Sequence, residues 1–285
     1  IYDALVHPLD EFRDLNRLVK GLIGLSPGRG HSLRGRVVFM ESHDTAASDR
    51  YGRVAAAVHN GGSFMPKQAG EQGGDAFQKA GEALPYPDAS AVEANIFAAR
   101  RAALGLVLVM TAPGVPMLLQ GQEVCDSRPF KWPQGPGMDW ERAEATHGQP
   151  AEWRQLCRDL ISLRSGGAAG REVFGLHDAS PGSLSPLQGD GVHVFHAHDG
   201  VLAYLRWTEA EDSRKTGILQ PCLALVIVNL THRLFESYHL GVPPSRSWKL
   251  ALSTAGSATT CCTEVQVSQM RSAHGFPCSI HVALQ

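Results

Sequence analysis

"VVFMESHD", residues 37–44, is the stretch on which the fold turns. Val37, Val38, Phe39 and Met40 form a short continuous apolar run, the pattern of a strand buried on both faces. The run ends in Glu41, Ser42, His43 and Asp44. Four polar groups at the end of a buried strand need partners, because desolvating them unpaired is costly. A second run of the same kind, Val115-Pro116-Met117-Leu118-Leu119, ends in Gln120-Gly121-Gln122-Glu123. Both strands therefore finish in polar clusters, and in α/β folds ligands bind at the carboxyl ends of strands.

Helical patterns flank these runs. Apolar residues at Phe12, Leu15, Leu18, Val19 and Leu22 lie on one face of a first helix, with Asp10, Glu11 and Asp14 in its negatively charged first turn. Gly24, Pro27, Gly28 and Gly30 break it. Ser90 and Glu93 have capping-box spacing and open a second helix through Phe97, Leu104, Val107 and Leu108, which Pro113-Gly114 stops. Pro150 suits the first turn of a third, with Trp153, Leu156, Leu160 and Ile161 on its buried face and Gly166-Gly167 at its end. The alternation of helix and strand over residues 1–170 predicts a parallel sheet with helices outside it. Gly61 to Pro87, rich in Gly, Ala, Gln, Lys and Glu and without periodicity, reads as a long mobile insertion.

After about residue 170 the pattern changes. Val192–Ala197, Val201–Trp207, Leu223–Leu230, Trp248–Leu252, Glu264–Gln269 and Cys278–Leu284 are short strand-like runs between turn residues. They predict an all-β module over 171–285, an antiparallel sandwich.

Bulk properties narrow the function classes. The 285 residues are 43% hydrophobic, enough for a sizeable core and a second, smaller one. Net charge is −2, from 26 Lys+Arg against 28 Asp+Glu, so no basic stripe points to nucleic acid. No apolar run is long enough for a membrane span. Cys125, Cys157, Cys222, Cys261, Cys262 and Cys278 form no Cys-x-x-Cys pair and read as reduced buried thiols. The opening Ile1-Tyr2-Asp3 reads as a start in mid-domain with no signal segment before it. The expected compartment is cytoplasm or plastid stroma rather than the secretory route.

Three readings compete for Glu41-Ser42-His43-Asp44. A Ser–His–Asp triad is disfavoured, because triad members converge in space while strand neighbours point to opposite faces. Strand-end capping is a plain structural reading. The third is a grip on a hydroxyl-rich ligand by imidazole N–H and carboxylate oxygens. Elsewhere, His193, His196 and His198 suggest metal, but only His196 and His198 share a strand face and no carboxylate or Cys completes a site. Trp132 and Trp140 suit either sugar stacking or loop packing. Arg100, Arg101 and Arg164 read as solvated helix residues. Asn229-Leu230-Thr231 matches a glycosylation pattern and is discounted.

The surrounding sequence bears on the choice. "VVFMESHD" resembles the fourth conserved motif of the α-amylase superfamily, in the form typical of 1,4-α-glucan branching enzymes. "RRAALGLVLVMTAPGVPMLLQGQE" (100–123) resembles the segment into their eighth barrel strand. "FKWPQGPGMDW" (130–140) and "RDLISLR" (158–164) follow in the family's order. "LALVIVNLTHRLFESYHLGVPPSRSWKLALST" (223–254) resembles the β-domain after the barrel.

The resemblance implies an α/β fold, the C-terminal part of a (β/α)8 barrel over 1–170 followed by the β-domain over 171–285. It implies retaining chemistry on α-1,4-glucans. His43 and Asp44 take the place of the residues that hold the sugar at the bond being cut. Gln122 and Glu123 are substrate-binding candidates, with a loop-fixing role as the alternative. Glu41 and Ser42 receive no catalytic assignment. The family's nucleophile Asp and acid–base Glu lie upstream of this motif. Before Val37 this sequence has only Asp3, Asp10, Glu11 and Asp14, none after an apolar strand. Thr45 stands where branching enzymes usually carry an acidic or amide residue. No cofactor or metal is implied, and the partner is an α-glucan such as amylose, amylopectin or glycogen. The readings are thus part of a branching enzyme, part of an amylase-type hydrolase, a non-catalytic glucan-binding or scaffold homologue, or a truncated product.

Overall fold

The computed structural model describes residues 1–24, 33–47, 52–61, 87–130, 137–174, 185–208, 222–244, 248–254, 263–265, 267–268 and 273–284. Its helices are α1 (Tyr2–Val6), α2 (Leu15–Ile23), α3 (His43–Ala47), α4 (Val54–His59), α5 (Ala89–Ala94), α6 (Ile96–Thr111), α7 (Trp140–Glu144), α8 (Gly148–Ser165) and α9 (Ala168–Phe174). Its strands are β1 (Val37–Val38), β2 (Val115–Pro116), β3 (Gly191–His198), β4 (Val201–Trp207), β5 (Leu223–Asn229), β6 (Phe235–Val242), β7 (Trp248–Leu250), β8 (Thr263–Val265), β9 (Val267–Ser268) and β10 (Cys278–Leu284). The chain forms two compact units. One comprises Ile1–Arg13, Phe39–Leu106 and Met117–Arg154, the other Asp14–Val38, Val107–Pro116 and Gln155–Gln285.

In the first unit α4 is buried along its whole apolar run, Val54 through Val58. A helix with no polar face belongs inside. α1 buries Ala4, Leu5 and Val6, and the Tyr2 hydroxyl donates to the Gly52 carbonyl at 3.2 Å. Met40, Ala98 and Ala102 complete this core.

In the second unit β1 and β2 pair in parallel, Val37 opposite Val115 and Val38 opposite Pro116. This is the pairing that the alternation of helix and strand requires. No further strand joins the two among the described residues. The expectation that this run is buried on both faces fails. Val38 is buried, but Val37 is 51% and Phe39 40% exposed. Side chains alternate along a strand, and only one face is covered here.

The sandwich is present and all antiparallel. One sheet has the order β3-β4-β5 and the other β6-β10-β9, with β7 and β8 paired apart. Ala203 of β4, Leu240 and Val242 of β6 and Cys278 and Ile280 of β10 form the layer between the sheets, with Phe195, Leu225 and Ile227 packed against it. The second face of β4 is also closed, which explains its burial from Val201 to Arg206. There the Arg206 guanidinium, wholly buried, donates to the carbonyls of Gly191 at 2.9 Å, Leu187 at 3.2 Å, Gly189 and Thr111.

Several boundaries differ from the sequence reading. The first helix begins at Leu15, not Asp10. Asp14 caps it by accepting the Arg17 N–H at 2.8 Å, and Asp10 instead pairs with Arg13 at 2.6 Å, leaving Phe12 64% exposed. Asp88, not Ser90, opens the second helical stretch, accepting the Ser90 N–H at 2.7 Å. Asn95 then breaks the stretch by capping α6. Leu163 replaces Ile161 on the buried face of α8, with Ile161 48% exposed. α3, α4, α7, α9 and β6 were not foreseen as elements. Arg164 is no solvated residue. It donates to the carbonyls of Met110 at 2.7 Å, Ala112 at 2.9 Å and Gly114. Arg101 likewise bonds the His7 carbonyl at 3.2 Å, and burial draws its guanidinium down to about 10. Cys125, Cys157 and Cys278 are buried and Cys222 half-buried, with no disulfide among the described residues. Most of the span 61–87, Trp132, Cys261 and Cys262 lie outside the described residues. No helix among the described residues is long and apolar enough to cross a membrane.

The histidine run with the disfavoured metal reading has other engagements. His196 is buried, its Nε2 bonds the Tyr238 hydroxyl at 2.6 Å, and the rings of His198 and His274 lie 5.7 and 4.6 Å away. No three His, Cys, Asp or Glu side chains converge as a metal site among the described residues. Burial first, then the neighbouring imidazoles of His274 and His198, bring His196 down to about 4, with Asp199 opposing. A histidine held neutral in the fold takes up its proton more readily when unfolded. Its stabilising contribution is therefore complete above about pH 6.5 and is lost as pH falls from there towards 4. Thermal melts between pH 7 and pH 4 are expected to show a falling midpoint, and His196→Asn to flatten that fall. An unchanged slope in the variant would assign the acid sensitivity elsewhere.

Candidate functional site

The site lies in the first unit, where residues 39–47 meet residues 117–130. Glu41 is the buried member of its tetrapeptide. Its Oε2 receives Arg53 Nη1 at 3.0 Å and its Oε1 the Val54 N–H at 2.6 Å. The two side chains are only 5% and 4% exposed. Burial pushes the Glu41 carboxyl upward, while Arg53 and the Val54 amide pull it back. The carboxylate thus holds the α4 N-terminus as well as the guanidinium, a charge-assisted arrangement in a dry setting.

Arg53 reaches further. Its Nη2 donates to the Gln120 carbonyl at 2.8 Å and its Nε to the Arg128 carbonyl at 3.4 Å. One guanidinium therefore ties the end of the first strand run, the start of α4 and the loop after the second strand run. That loop is closed on itself. Gly121 (φ 92°) makes the turn, and a Cβ there would stand 2.9 Å from Asp126 Cβ and 3.2 Å from Arg53 Nη2. Asp126 accepts Arg128 Nε at 3.0 Å and Nη2 at 2.8 Å, a bidentate grip. The Phe130 N–H donates to the Ala46 carbonyl at 3.3 Å, joining the loop to α3.

Ser42 and Thr45 form a reciprocal cap on α3. The Ser42 N–H donates to Thr45 Oγ1 at 2.8 Å, and the Thr45 N–H to Ser42 Oγ at 3.3 Å. This is capping-box geometry with Thr in the place of Glu, which gives Thr45 a local reason for its identity. The cap fixes the first turn, from which His43 and Asp44 project. Their side chains are 71% and 83% exposed, and His43 Nε2 lies 3.2 Å from Asp44 Oδ1. The two are thus adjacent, paired and open to solvent, and they do not converge with Ser42 as a triad.

Gln122 and Glu123 are brought to the same loop but spend their side chains on it. Gln122 Oε1 accepts the Leu119 N–H at 2.5 Å, and Glu123 Oε2 the Gly121 N–H at 2.9 Å. Gln122 is buried. The loop-fixing alternative describes both. Trp140, 68% exposed, starts α7 outside that network. The Asn229 amide donates to the Arg233 carbonyl at 2.8 Å, and its oxygen accepts from Thr231, so the glycosylation pattern is a buried turn.

Sequence reasoning missed Arg53 and the structural weight of Glu41. A signal was there. Arg53 directly precedes Val54-Ala55-Ala56-Ala57-Val58, a run without a polar face, so its charge sits at the mouth of a buried helix.

The fold and this rim define an antiparallel β-sandwich following α/β elements with a polar cluster at strand ends. Residues 192–285 match the family described as "Alpha amylase, C-terminal all-beta domain". That match supports the α-amylase superfamily. No curated protein matches the sequence. Among solved structures, a type I pullulanase from Bacillus subtilis str. 168, complexed with maltose, is similar in fold. It shows 14% identity and a TM-score of 0.52, over 99% of this chain and 30% of that one. The Group B Streptococcus pullulanase SAP (12% identity, TM-score 0.44) covers 95% of this chain and 35% of its own. The glycogen-degrading pneumococcal virulence factor SpuA (14% identity, TM-score 0.44) covers 96% of this chain and 28% of its own. The chain thus spans about a third of the length of these proteins.

Breaking a buried ion pair by removing one partner leaves an uncompensated charge and costs about 3–5 kcal/mol. Arg53→Met and Glu41→Gln are each expected to destabilise the chain on that order in urea titrations. The combined Arg53→Met/Glu41→Gln variant should lose less than the sum of the two, a coupling that a double-mutant cycle reads directly. Strict additivity would show that the two side chains act independently.

Proposed function

We propose that this chain is the C-terminal portion of an α-glucan-acting enzyme of the α-amylase superfamily. On this reading 1–170 contributes the last part of a (β/α)8 barrel and 171–285 the C-terminal β-domain. His43 and Asp44 hold a glucose unit at the bond being cut. The observation that carries the reading is the exposed His43–Asp44 pair on a fixed helical turn at a strand's carboxyl end, beside a rigid second loop. Imidazole N–H and carboxylate oxygens suit the vicinal hydroxyls of a sugar. Hydrogen bonds that strengthen as the ring flattens towards an oxocarbenium-like state act on rate as well as on binding.

Retaining glycosidases need two carboxylates about 5–5.5 Å apart. Glu41, Glu123 and Asp126 are engaged with Arg53, the Gly121 amide and Arg128 respectively. Among the described residues 41–47 and 117–130, Asp44 is a carboxylate that faces solvent. On this reading the chain is inactive by itself, because the nucleophile and acid–base that the resemblance implies before this motif have no counterpart among Asp3, Asp10, Glu11 and Asp14. The form of the "VVFMESHD" motif favours branching, in which an α-1,4 link is cut and rejoined as α-1,6. A second reading, cleavage of α-glucan as in a pullulanase, draws on the fold likeness to the maltose-bound enzyme.

Two measurements test this. Purified chain mixed with amylose is expected to leave the iodine colour and the reducing-end count unchanged; a clear change in either would sink the proposal of inactivity. In a longer protein that carries the carboxylates, His43→Ala and Asp44→Ala should each lower kcat by about a hundredfold or more with the fold intact, since several kcal/mol of transition-state binding is at stake. Near-normal turnover would remove both residues from the site. A shift of iodine colour without new reducing ends marks branching, and release of reducing ends from pullulan marks the second reading.

A further inference from the structure

We infer that the turn Ala273–Phe276 is a pH-sensitive latch on the β-sandwich, held by the unprotonated Nδ1 of His274 and released when that ring takes up a proton. The turn itself is tight. Ala273 and Phe276 exchange both backbone hydrogen bonds, at 3.1 and 2.9 Å, and His274 and Gly275 between them take φ of 51° and 81°. It docks on β6 at Gly241, where a Cβ would overlap the Ala273 carbonyl, so glycine lets the two backbones meet. The Gly241 N–H donates to His274 Nδ1 at 3.0 Å. Since β6 ends the order of its sheet among the described residues, the imidazole supplies the acceptor that a neighbouring strand would. On the other side Phe276 meets Phe195 of β3 edge-on, ring centroids 5.2 Å apart, and Phe195 packs on the layer between the sheets. Release of the turn bares these two half-buried rings.

An amide donor dictates the protonation state of its acceptor. Nδ1 accepts only while it carries no proton; an imidazolium donates at both nitrogens and would set N–H against N–H. The groups around His274 are mostly imidazoles. His196 of β3 lies 4.6 Å away, with His198 and the Tyr238 hydroxyl against that ring. His239, paired with His281 of β10, shares the strand face of Gly241 on β6. Asp199, between β3 and β4, opposes them with its negative charge. His274 is exposed, so protons reach it directly. His196 is brought down to about 4 by burial first and then by its neighbours, and so stays neutral where imidazoles ordinarily change charge, between about pH 5 and 8. The docked turn binds fewer protons than the released one. Docking is therefore complete on the alkaline side of that range and is lost as pH falls through it.

The test is hydrogen exchange of the Gly241 amide in the full chain, followed by NMR at about pH 7.5 and about pH 5.5 and normalised to an unstructured peptide at each. Wild type is expected to lose protection there about tenfold or more at the lower pH, while the amide of Tyr204, in the buried strand β4, keeps its own. His274→Asn puts an amide oxygen in reach of the Gly241 N–H, suits a left-handed φ and does not titrate, so it should hold the latch at both pH values. Unchanged Gly241 protection in wild type, or an equal loss in His274→Asn, overturns the inference. So does a loss of the same size at Tyr204, which would mark general acid unfolding in place of a local release.

Discussion

The contact between Glu41 and Arg53 is the constraint on which the rim depends. A carboxylate and a guanidinium, both almost wholly out of water, are held at 3.0 Å, and each has further partners. Desolvating two charges is repaid only when the remaining lone pairs and protons are also satisfied. Here the Val54 amide takes the second carboxylate oxygen, and the carbonyls of Gln120 and Arg128 take the rest of the guanidinium fork. Arginine suits this place and lysine does not, because a planar fork can address three segments at once. Those segments come from distant parts of the chain, so one buried charge fixes their mutual geometry.

A comparable device serves the second unit. The C-terminal carbonyls of α6 carry the negative end of a helix dipole. Arg164 takes Met110, Ala112 and Gly114, Arg206 takes Thr111, and Arg36 takes Pro113 at 3.3 Å. Three guanidiniums thus end one helix where glycine or water more often does. Burial lowers Arg206 to about 10, still far above neutral pH, so its charge persists beside the carbonyls. On the face of β4 opposite the sandwich layer, buried Leu202 and Tyr204 stand in line with this polar plug at Arg206. The same burial raises the Tyr204 hydroxyl to about 12, and it sits against Thr111 at 2.5 Å.

The legible parts of the sequence are those where local chemistry decides. The mostly apolar run of β4 and the alternating Ile280, Val282 and Leu284 of β10 gave these strands their bounds, and the run expected over Leu223–Leu230 ends at Asn229. Pro113-Gly114 ended α6 as read. Four polar residues after an apolar strand drew attention to residues 41–44, and the resemblance singled out His43 and Asp44 among them as sugar-binding candidates. Partners distant in sequence stayed hidden. Nothing local tells that Arg164, in a charged helical stretch, bends onto carbonyls some fifty residues away. Asp14 and Asp88 take the caps, but which of several acidic and hydroxyl residues does so depends on where the chain enters the helix. β6 was missed because Phe235–Val242 is half polar and its partner β10 lies far along the chain.

Within residues 41–45 the burial pattern divides the labour. Glu41 and Ser42 point inward and hold; His43 and Asp44 point outward and are exposed; Thr45 closes the cap behind them. A segment that served structure alone would gain nothing from displaying an imidazole beside a carboxylate in water, since an exposed ion pair contributes little stability. Under the proposed function, the cap and the ion pair beneath them hold His43 and Asp44 in place for a ligand. A sugar ring in flux between chair and flattened form is such a ligand, because small errors in the placement of hydrogen-bonding groups cost rate steeply. The buried arginine, far from any hydroxyl, then governs the proposed chemistry through geometry alone.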